Sequence, residues 1–403
     1  MDYRDIPFSP PDISQAEIDE VVDTLRSGWI TTGPKVKRFE REIADYCGTK
    51  RAICLNSATA ALEMALRVLG VGPGDEVIVP AYTYTASVSV IDHVGATIVM
   101  VDTARDGYEA DYDALAAAVT PRTKAVIPVD LAGTPCDYDR LFEIVTEKRT
   151  MFQPANDLQR AIGRVAIITD GAHAFGATWR GRRVGAIADM TAFSFHAVKN
   201  LTTAEGGALT WHLPEGVDDE VVYTTVNRLS LHGQTKDALA KTGKGSWEYD
   251  ILEPAFKCNM TDIMGAIGLA QLKRYNRLLA RRRVLAAAYD AGVKTLGLKT
   301  RPFQTDVYES SRHLYMIRIP GADEEKRNAV IREMAERGIA CNVHYKPLPM
   351  LTAYKNLGFD INDFPNAHAQ YKNGMTLPFH TLLSDEDVQY VLACLKESLD
   401  AVL

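Results

Sequence analysis

The chain has 403 residues, of which 46% are apolar and 24% charged, and a formal net charge of −7. That length allows two or three domains with a large core, and the acidic balance argues against a nucleic-acid-binding surface. The six cysteines are scattered without a CxxC pair, the polar start MDYRDIPFSPP has no apolar leader, and no stretch reaches about 18 uninterrupted apolar residues. A zinc ribbon, a disulfide framework, a secretion signal and a membrane span are therefore not expected. The expected location is cytoplasmic, with no nucleic acid, membrane or metal as partner.

Ser14 and Glu17 form a capping box ahead of Ile18, Val21, Val22 and Leu25, which keep helical spacing until Gly28. Val36, Phe39 and Ile43 mark a second helix, stopped by Gly48. Buried-strand runs then alternate with helices: RAICLN, EVIVP, TIVMVD, TKAVIPVD and VAIITD, interleaved with ATAALEMALRVLG and DYDRLFEIV. Such alternation implies right-handed crossovers and a mostly parallel sheet. MTAFSFH and GALTW read as two more strands, flanking a loop that carries Lys199.

After Thr261 the pattern changes to a helical run of about 30 residues, long enough to bridge two domains. A strand (HLYMIRI), a helix (DEEKRNAVIREMAERG), a strand (IACNVHY) and a last helix capped by Ser384 and Asp387 follow, a smaller α+β unit. The boundary is placed inside the long helix near Arg277, dividing residues 1–276 from 277–403, with roughly the first 30 residues free to pack elsewhere.

Four stretches converge on the carboxyl ends of the first-domain strands, where open α/β sheets bind ligands. NSATAAL, at a strand-to-helix turn, has small residues that leave backbone N–H groups exposed at a helix N-terminus, with the Thr59 hydroxyl beside them, which suits a phosphate as well as an ordinary N-cap. In ITDGAHAFG, Asp170 ends a buried strand, where a carboxylate needs a cation, either an arginine or a protonated pyridine nitrogen. His173 is fitted to a ring hydroxyl or to the core. Tyr84, in PAYTYTAS, can stack on a flat ring or fill core. In FSFHAVKNLTTAEGGALT, Lys199 stands among hydroxyls and glycines, and a lysine in a low-dielectric pocket gives up its proton and bonds to an aldehyde. Phosphate cradle, ring-nitrogen carboxylate, stacking aromatic and lysine together describe a pyridoxal phosphate site.

With those residues the chain resembles the DegT/StrS group of nucleotide-sugar aminotransferases, of the aspartate-aminotransferase fold type I. The likeness extends through TTGPKVKRFE, NSATAAL, GDEVIVPAYTYTA, DGAHAFGA, FSFHAVKNLTTAEGG, KCNMTDIMGAIGLAQL and the HLY and NVHY segments. It implies an α/β large domain built on a mostly parallel seven-stranded sheet and a small C-terminal α+β domain. By the resemblance, Lys199 is the lysine that binds the cofactor as a Schiff base and Asp170 pairs with its pyridine nitrogen. His173 stands near the ring oxygen, Tyr84 stacks, and Ala58, Thr59 and Ser194 cradle the phosphate. Asn259 is lent to the partner's phosphate across a homodimer with a shared active site. Thr31, His196 and His344 are substrate-side candidates. The substrates implied are a nucleotide-linked keto sugar and an amino-acid donor, glutamate by analogy. Relatives with histidine at the lysine position dehydrate sugars, so Lys199 favours transamination over a dehydratase or a non-catalytic binding protein.

Other signals are weaker. KTGKGS, Lys241 to Ser246, lacks the earlier glycine of a phosphate loop, and LGVGPGDE follows a helix where a dinucleotide fingerprint would follow a strand. KRYNRLLARRR reads as a solvated helix face or a diphosphate contact. KRTMFQPANDLQRAIGR, around 148–164, is an insertion that either lines a substrate entrance or decorates the surface.

Overall fold

The computed structural model describes residues 3–236 and 247–403; the KTGKGS segment lies outside them. The main sheet contains β1 (Ala52–Leu55), β2 (Glu76–Pro80), β3 (Thr97–Val101), β4 (Thr123–Val126) and β5 (Ala166–Asp170). After a short hairpin, β6 (Thr178–Trp179) and β7 (Arg182–Arg183), it is completed by β8 (Met190–Ser194) and β9 (Gly207–Trp211). Its seven strands run in the order β1-β9-β8-β5-β4-β2-β3. Only β9 is antiparallel to its neighbours, so the carboxyl ends of six strands and the start of β9 share one edge.

Apart from the edge strand β3, the strands are buried on both faces, and successive side chains divide between two cores. Cys54, Ile78, Val126, Ile167 and Phe193 face one layer with Phe39, Ile43, Leu141 and Phe175. Ile53, Val77, Ala125, Ile168 and Ala192 face the other with Leu62, Leu66, Val88 and Ile91. This period-two division explains why the runs read as continuously apolar.

Beyond the sheet, a 34-residue helix, Asp262–Thr295, spans about 51 Å. Leu269, Tyr275 and Leu279 pack into the first core, whereas Leu285, Tyr289 and Val293 enter a third. That third core gathers Tyr315, Ile317, Val330, Leu377 and Val391 around an antiparallel sheet of β10 (Lys299–Thr300), β12 (Tyr315–Arg318) and β13 (Gly374–Leu377). The pair β11 (Tyr308–Glu309) belongs to the β6–β7 hairpin instead. Ile6 joins the third core and bridges Ile339, so the first residues of the chain pack on its last third.

One sequence expectation is corrected, and of the two readings of the insertion one finds no support. IACNVHY is not a strand: it makes two isolated bridges, Ile339 with Ile6 and Asn342 with Thr376 of β13. It then turns inward, with His344 Nδ1 3.0 Å from Thr376 Oγ1 and Tyr345 at the main cavity. The insertion around 148–164 does not line that cavity. Asn156 Nδ2 and Gln159 Nε2 both donate to Leu69 O, each at 2.7 Å, and Ile162 is buried in the second core. Leu69 closes the helix α3 (Ala58–Val68) at the end opposite the site, roughly 16 Å away.

The first helix (Gln15–Ser27) is capped as expected, Glu17 Oε2 accepting from Ser14 N–H at 2.6 Å and Gly28 closing with φ 75°. Its orientation is inverted. Glu17 is 2% exposed and accepts from Arg274 Nε at 2.8 Å, whereas Ile18 is 49% and Leu25 52% exposed. Burial raises the Glu17 pKa, but the hydrogen bonds of Arg274 and Ser14 more than offset it, so the carboxylate stays ionised. The apolar stripe faces outward, and with Pro11, Ile13, Ala197, Thr202, Ala204 and Ile267 it encloses an apolar groove of about 390 Å³. Among the described residues no helix is long and apolar enough to cross a membrane.

Candidate active site

A cavity of about 310 Å³ opens at the shared strand edge. Ala58, Thr59, Tyr84, Asp170, His173, Ser194, His196 and Lys199 all line it. The sequence stretches that are far apart along the chain therefore meet at one place.

At one end, Ser57 leaves β1 and caps α3, its hydroxyl accepting from Ala60 N–H at 3.0 Å. The N–H groups of Ala58 and Thr59 are left without intrahelical acceptors, at the positive end of the helix dipole. Gly207 makes this approach possible: a Cβ there would lie 2.4 Å from Ser57 C and 2.5 Å from Ala58 N. The second glycine of Glu-Gly-Gly thus lets β9 pass beneath an open helix terminus.

At the other end, Asp170 is 5% exposed. Its Oδ2 accepts from Ser87 Oγ at 2.6 Å and its Oδ1 from Ala172 N–H at 3.0 Å. Ser87 is itself held by Thr83, hydroxyl to hydroxyl at 2.7 Å. Burial raises the Asp170 pKa; Ser87, Ala172 and the nearby Lys199 oppose the shift. Among the described residues no cation comes within ion-pair distance of this carboxylate.

Lys199 is partly buried and forms no ion pair among the described residues. Burial lowers its pKa from 10.5 to about 8, against the opposing pull of Asp170. Its loop is pinned at both ends: Phe195 N–H donates to Gly206 O and Thr203 N–H to Phe195 O, each at 2.8 Å. Asn200 ties the loop to a distant segment. Its Nδ2 donates to Ser311 O at 2.8 Å, and His313 Nδ1 donates to its Oδ1 at 2.9 Å. The same segment holds the β5 end and the β4 turn, since Ser311 Oγ donates to His173 O at 2.5 Å and His313 N–H to Ala132 O at 3.0 Å.

His173 Nδ1 accepts from Ala132 N–H at 3.1 Å. Burial, aided by the charges of Lys199 and His344, keeps the ring neutral, so its single proton sits on Nε2. That nitrogen lies 3.2 Å from Tyr345 OH. His196 faces Glu205 at 3.6 Å on the cavity rim.

Three candidates lie outside the cavity of this chain. His344 is turned toward Thr376 and stacks on Phe8 at 5.5 Å, with its neighbour Tyr345 occupying the cavity wall. Thr31 is exposed, and its carbonyl accepts from Asp262 N–H at 3.1 Å. Asn259 donates to Thr32 Oγ1 at 2.5 Å and accepts from Lys257. Tyr345, Ser87, Thr83 and Asp130 line or support the site without having been singled out in the sequence. Tyr345 is the residue next to His344 in NVHY, and Ser87 closes the PAYTYTAS stretch, so both were within reach.

The residues fit pyridoxal phosphate. The helix terminus opened by Gly207 offers free donors to a phosphate, Asp170 is a buried carboxylate without a cation, and Lys199 is an amine relieved of much of its basicity. Among the described residues no cluster of three His, Cys, Asp or Glu side chains is placed to hold a metal ion.

Comparison with known proteins agrees with this geometry. SpsC of Bacillus subtilis strain 168, a spore coat polysaccharide biosynthesis protein, is 39% identical over 97% of this chain and 96% of its own. Spr1654 of Streptococcus pneumoniae, assigned as a sugar aminotransferase and solved in its PMP form, superposes with a TM-score of 0.96. It is 59% identical, covering 99% of this chain and all of the other. DesV of S. venezuelae, solved with a ketimine intermediate, gives a TM-score of 0.83 at 30% identity over 98% of each chain. The family model for DegT/DnrJ/EryC1/StrS aminotransferases matches residues 11–396, and the chain belongs to that family.

Proposed function

We propose that this enzyme moves an amino group from an amino acid, glutamate by the family resemblance, to a nucleotide-linked keto sugar, as a step in amino-sugar biosynthesis for a polysaccharide. The observation that carries the reading is the pairing, in one cavity, of a lysine freed from ion pairing with a buried carboxylate freed from cations. The polysaccharide role of SpsC and the assignment of Spr1654 support the sugar as acceptor.

Pyridoxal phosphate, when bound, supplies the aldehyde that exchanges amines and a ring that takes up the electron pair released at the substrate carbon. Ala58, Thr59 and Ser194 would hold its phosphate, Tyr84 would cover the ring, and Asp170 would compensate a proton on the ring nitrogen. Lys199 is the amine placed to engage its aldehyde, and as a free amine it would take the proton from the donor's Cα as a general base and return a proton as a general acid. A pKa near 8 suits both directions close to neutrality. His173 stays neutral and adds no competing charge beside Lys199.

We also propose a homodimer in which Asn259 serves the partner's phosphate. Among the described residues Lys199 is the sole lysine or arginine lining the cavity of one chain, Asn259 lies outside it, and nothing covers the outward apolar stripe of the first helix. The division of the chain near Arg277 is retained on the same footing, because the long helix leaves the first core after Leu279 and enters the third at Leu285.

The test is an absorbance spectrum of the purified protein reconstituted with pyridoxal phosphate. The expected result is a band near the visible edge, bleached by glutamate, restored by a nucleotide keto sugar and missing in Lys199→Ala. A protein that acquires no chromophore ends the reading. Mass analysis of the sugar separates amination, which exchanges oxygen for nitrogen, from dehydration.

A further inference from the structure

The hydrogen-bond chain that begins at the backbone of Ala132 has a directional end. Ala132 N–H donates to His173 Nδ1, which fixes the imidazole proton on Nε2. Nε2–H then donates to Tyr345 OH at 3.2 Å, the two rings lying 23° from coplanar. The phenol oxygen is thereby an acceptor toward His173, and its own hydrogen remains for the cavity that Tyr345 lines. The residue is steadied from behind. Tyr82 OH donates to His344 O at 3.0 Å, and His344 Nδ1 contacts Thr376 Oγ1. The Tyr84 ring is in tilted contact with that of Tyr345, their centroids 5.7 Å apart.

We propose that Tyr345 is a catalytic residue: its hydroxyl, oriented by His173, donates a hydrogen bond to the carbonyl oxygen of the substrate during the exchange of nitrogen for oxygen. The inference rests on the transaminase reading above. In that exchange the oxygen of water bonds to the substrate carbon as the first C–N bond opens and one proton of the water passes to nitrogen; the remaining C–N bond then breaks with its electron pair going to nitrogen, which takes the proton of the new hydroxyl as the carbonyl forms. Negative charge develops on the oxygen, and a neutral donor placed beforehand stabilises it without being consumed. The keto-acceptor half of the cycle uses the same contact in reverse. Burial, reinforced by Asp170 and Tyr84, raises the Tyr345 pKa, so the hydroxyl keeps its hydrogen throughout the working range. Among the described residues no arginine lines the cavity, and the one lysine that does is assigned to proton transfer at carbon.

The experiment separates chemistry at carbon from chemistry at oxygen. Wild type and Tyr345→Phe are reconstituted with pyridoxal phosphate, and cofactor affinity is read by absorbance titration. Exchange of the glutamate Cα hydrogen in D2O is followed by NMR, and 2-oxoglutarate release is measured in a single turnover. The expected result is unchanged cofactor affinity, Cα exchange within about threefold of wild type, and keto-acid release slower by about 10²-fold, as for loss of one oxyanion donor. Equal losses in exchange and release would overturn the proposal, as would no loss in either. A Tyr345→Phe protein that loses the cofactor or the fold makes the hydroxyl structural and overturns it too. Wild type that neither exchanges nor releases with any amino acid refutes the transaminase reading itself, a distinguishable outcome.

Discussion

Ser87 Oγ donates to Asp170 Oδ2 at 2.6 Å, a contact between the first turn of the helix Ala86–His93 and the end of β5. It is the main force opposing the upward pull of burial on that carboxylate. Removing it in Ser87→Ala raises the Asp170 pKa further, because a hydrogen bond to the charged form is lost. The acid limb of the rate profile is expected to move to higher pH, since a charge-assisted bond to the ionised form is lost. Steady-state rates across pH check this; an unmoved limb refutes it.

Gly207→Ala brings a methyl against the backbone of Ser57 and Ala58. The terminus of α3 must shift, and the donors at Ala58 and Thr59 shift with it. Affinity for pyridoxal phosphate is expected to fall about tenfold or more, the equivalent of about 1.4 kcal/mol. Unphosphorylated pyridoxal should bind the variant and the parent alike, since it makes no use of the terminus. Equal losses for both ligands would point to a collapsed site.

The lowered basicity of Lys199 gives a pH dependence with a definite sign. An ordinary lysine at pH 8 is uncharged in about one molecule in 300, whereas Lys199 is about half uncharged. The rate at which apoprotein acquires colour with pyridoxal phosphate should climb about tenfold per pH unit below 8 and level off above it. Between pH 8 and 10.5 the unfolded chain holds this proton and the folded chain does not. Apoprotein stability from this group therefore rises with pH across that window. Stopped-flow absorbance and denaturant titration measure the two effects, and a colour-formation rate still climbing at pH 10 would contradict the assignment.

Ile18→Glu combined with Val22→Glu places charge in the apolar groove while leaving the buried Glu17 and Thr24 in place. The parent is expected to sediment as a dimer and the variant as a monomer with an unchanged circular-dichroism spectrum. A parent that sediments as a monomer removes the argument for the groove.

Much of the sheet was legible because parallel strands buried on both faces write continuous apolar runs, as AICL, EVIVP and AIITD do. The cavity residues Lys199, Asp170, His173, Tyr84 and Ser194 were legible because strand ends carry chemistry at fixed places in this architecture. What escaped has physical reasons. The spacing of Ile18, Val21, Val22 and Leu25 announces a helix but not which way it faces, and Glu17 is drawn inward by Arg274, a partner 257 residues distant. NVHY has the composition of a strand, yet only tertiary contacts decide that Tyr345, and not His344, reaches the cavity. Ser87 is one serine among many until the fold brings Asp170 beside it.

The segment Ser310–His313 belongs by sequence to the last third of the chain, yet it fastens the lysine loop through Asn200, the β5 end through His173 O and the β4 turn through Ala132 O. Arg282 grips it from the long helix, donating to the carbonyls of Arg312 at 3.0 Å and His313 at 3.2 Å. Severing the chain near Arg277 would thus leave an N-terminal fragment with every strand of its sheet but an unanchored amine. Catalytic competence is a property of the whole polypeptide, and gene truncations or fusions that spare residues 1–276 alone would yield a scaffold without an enzyme.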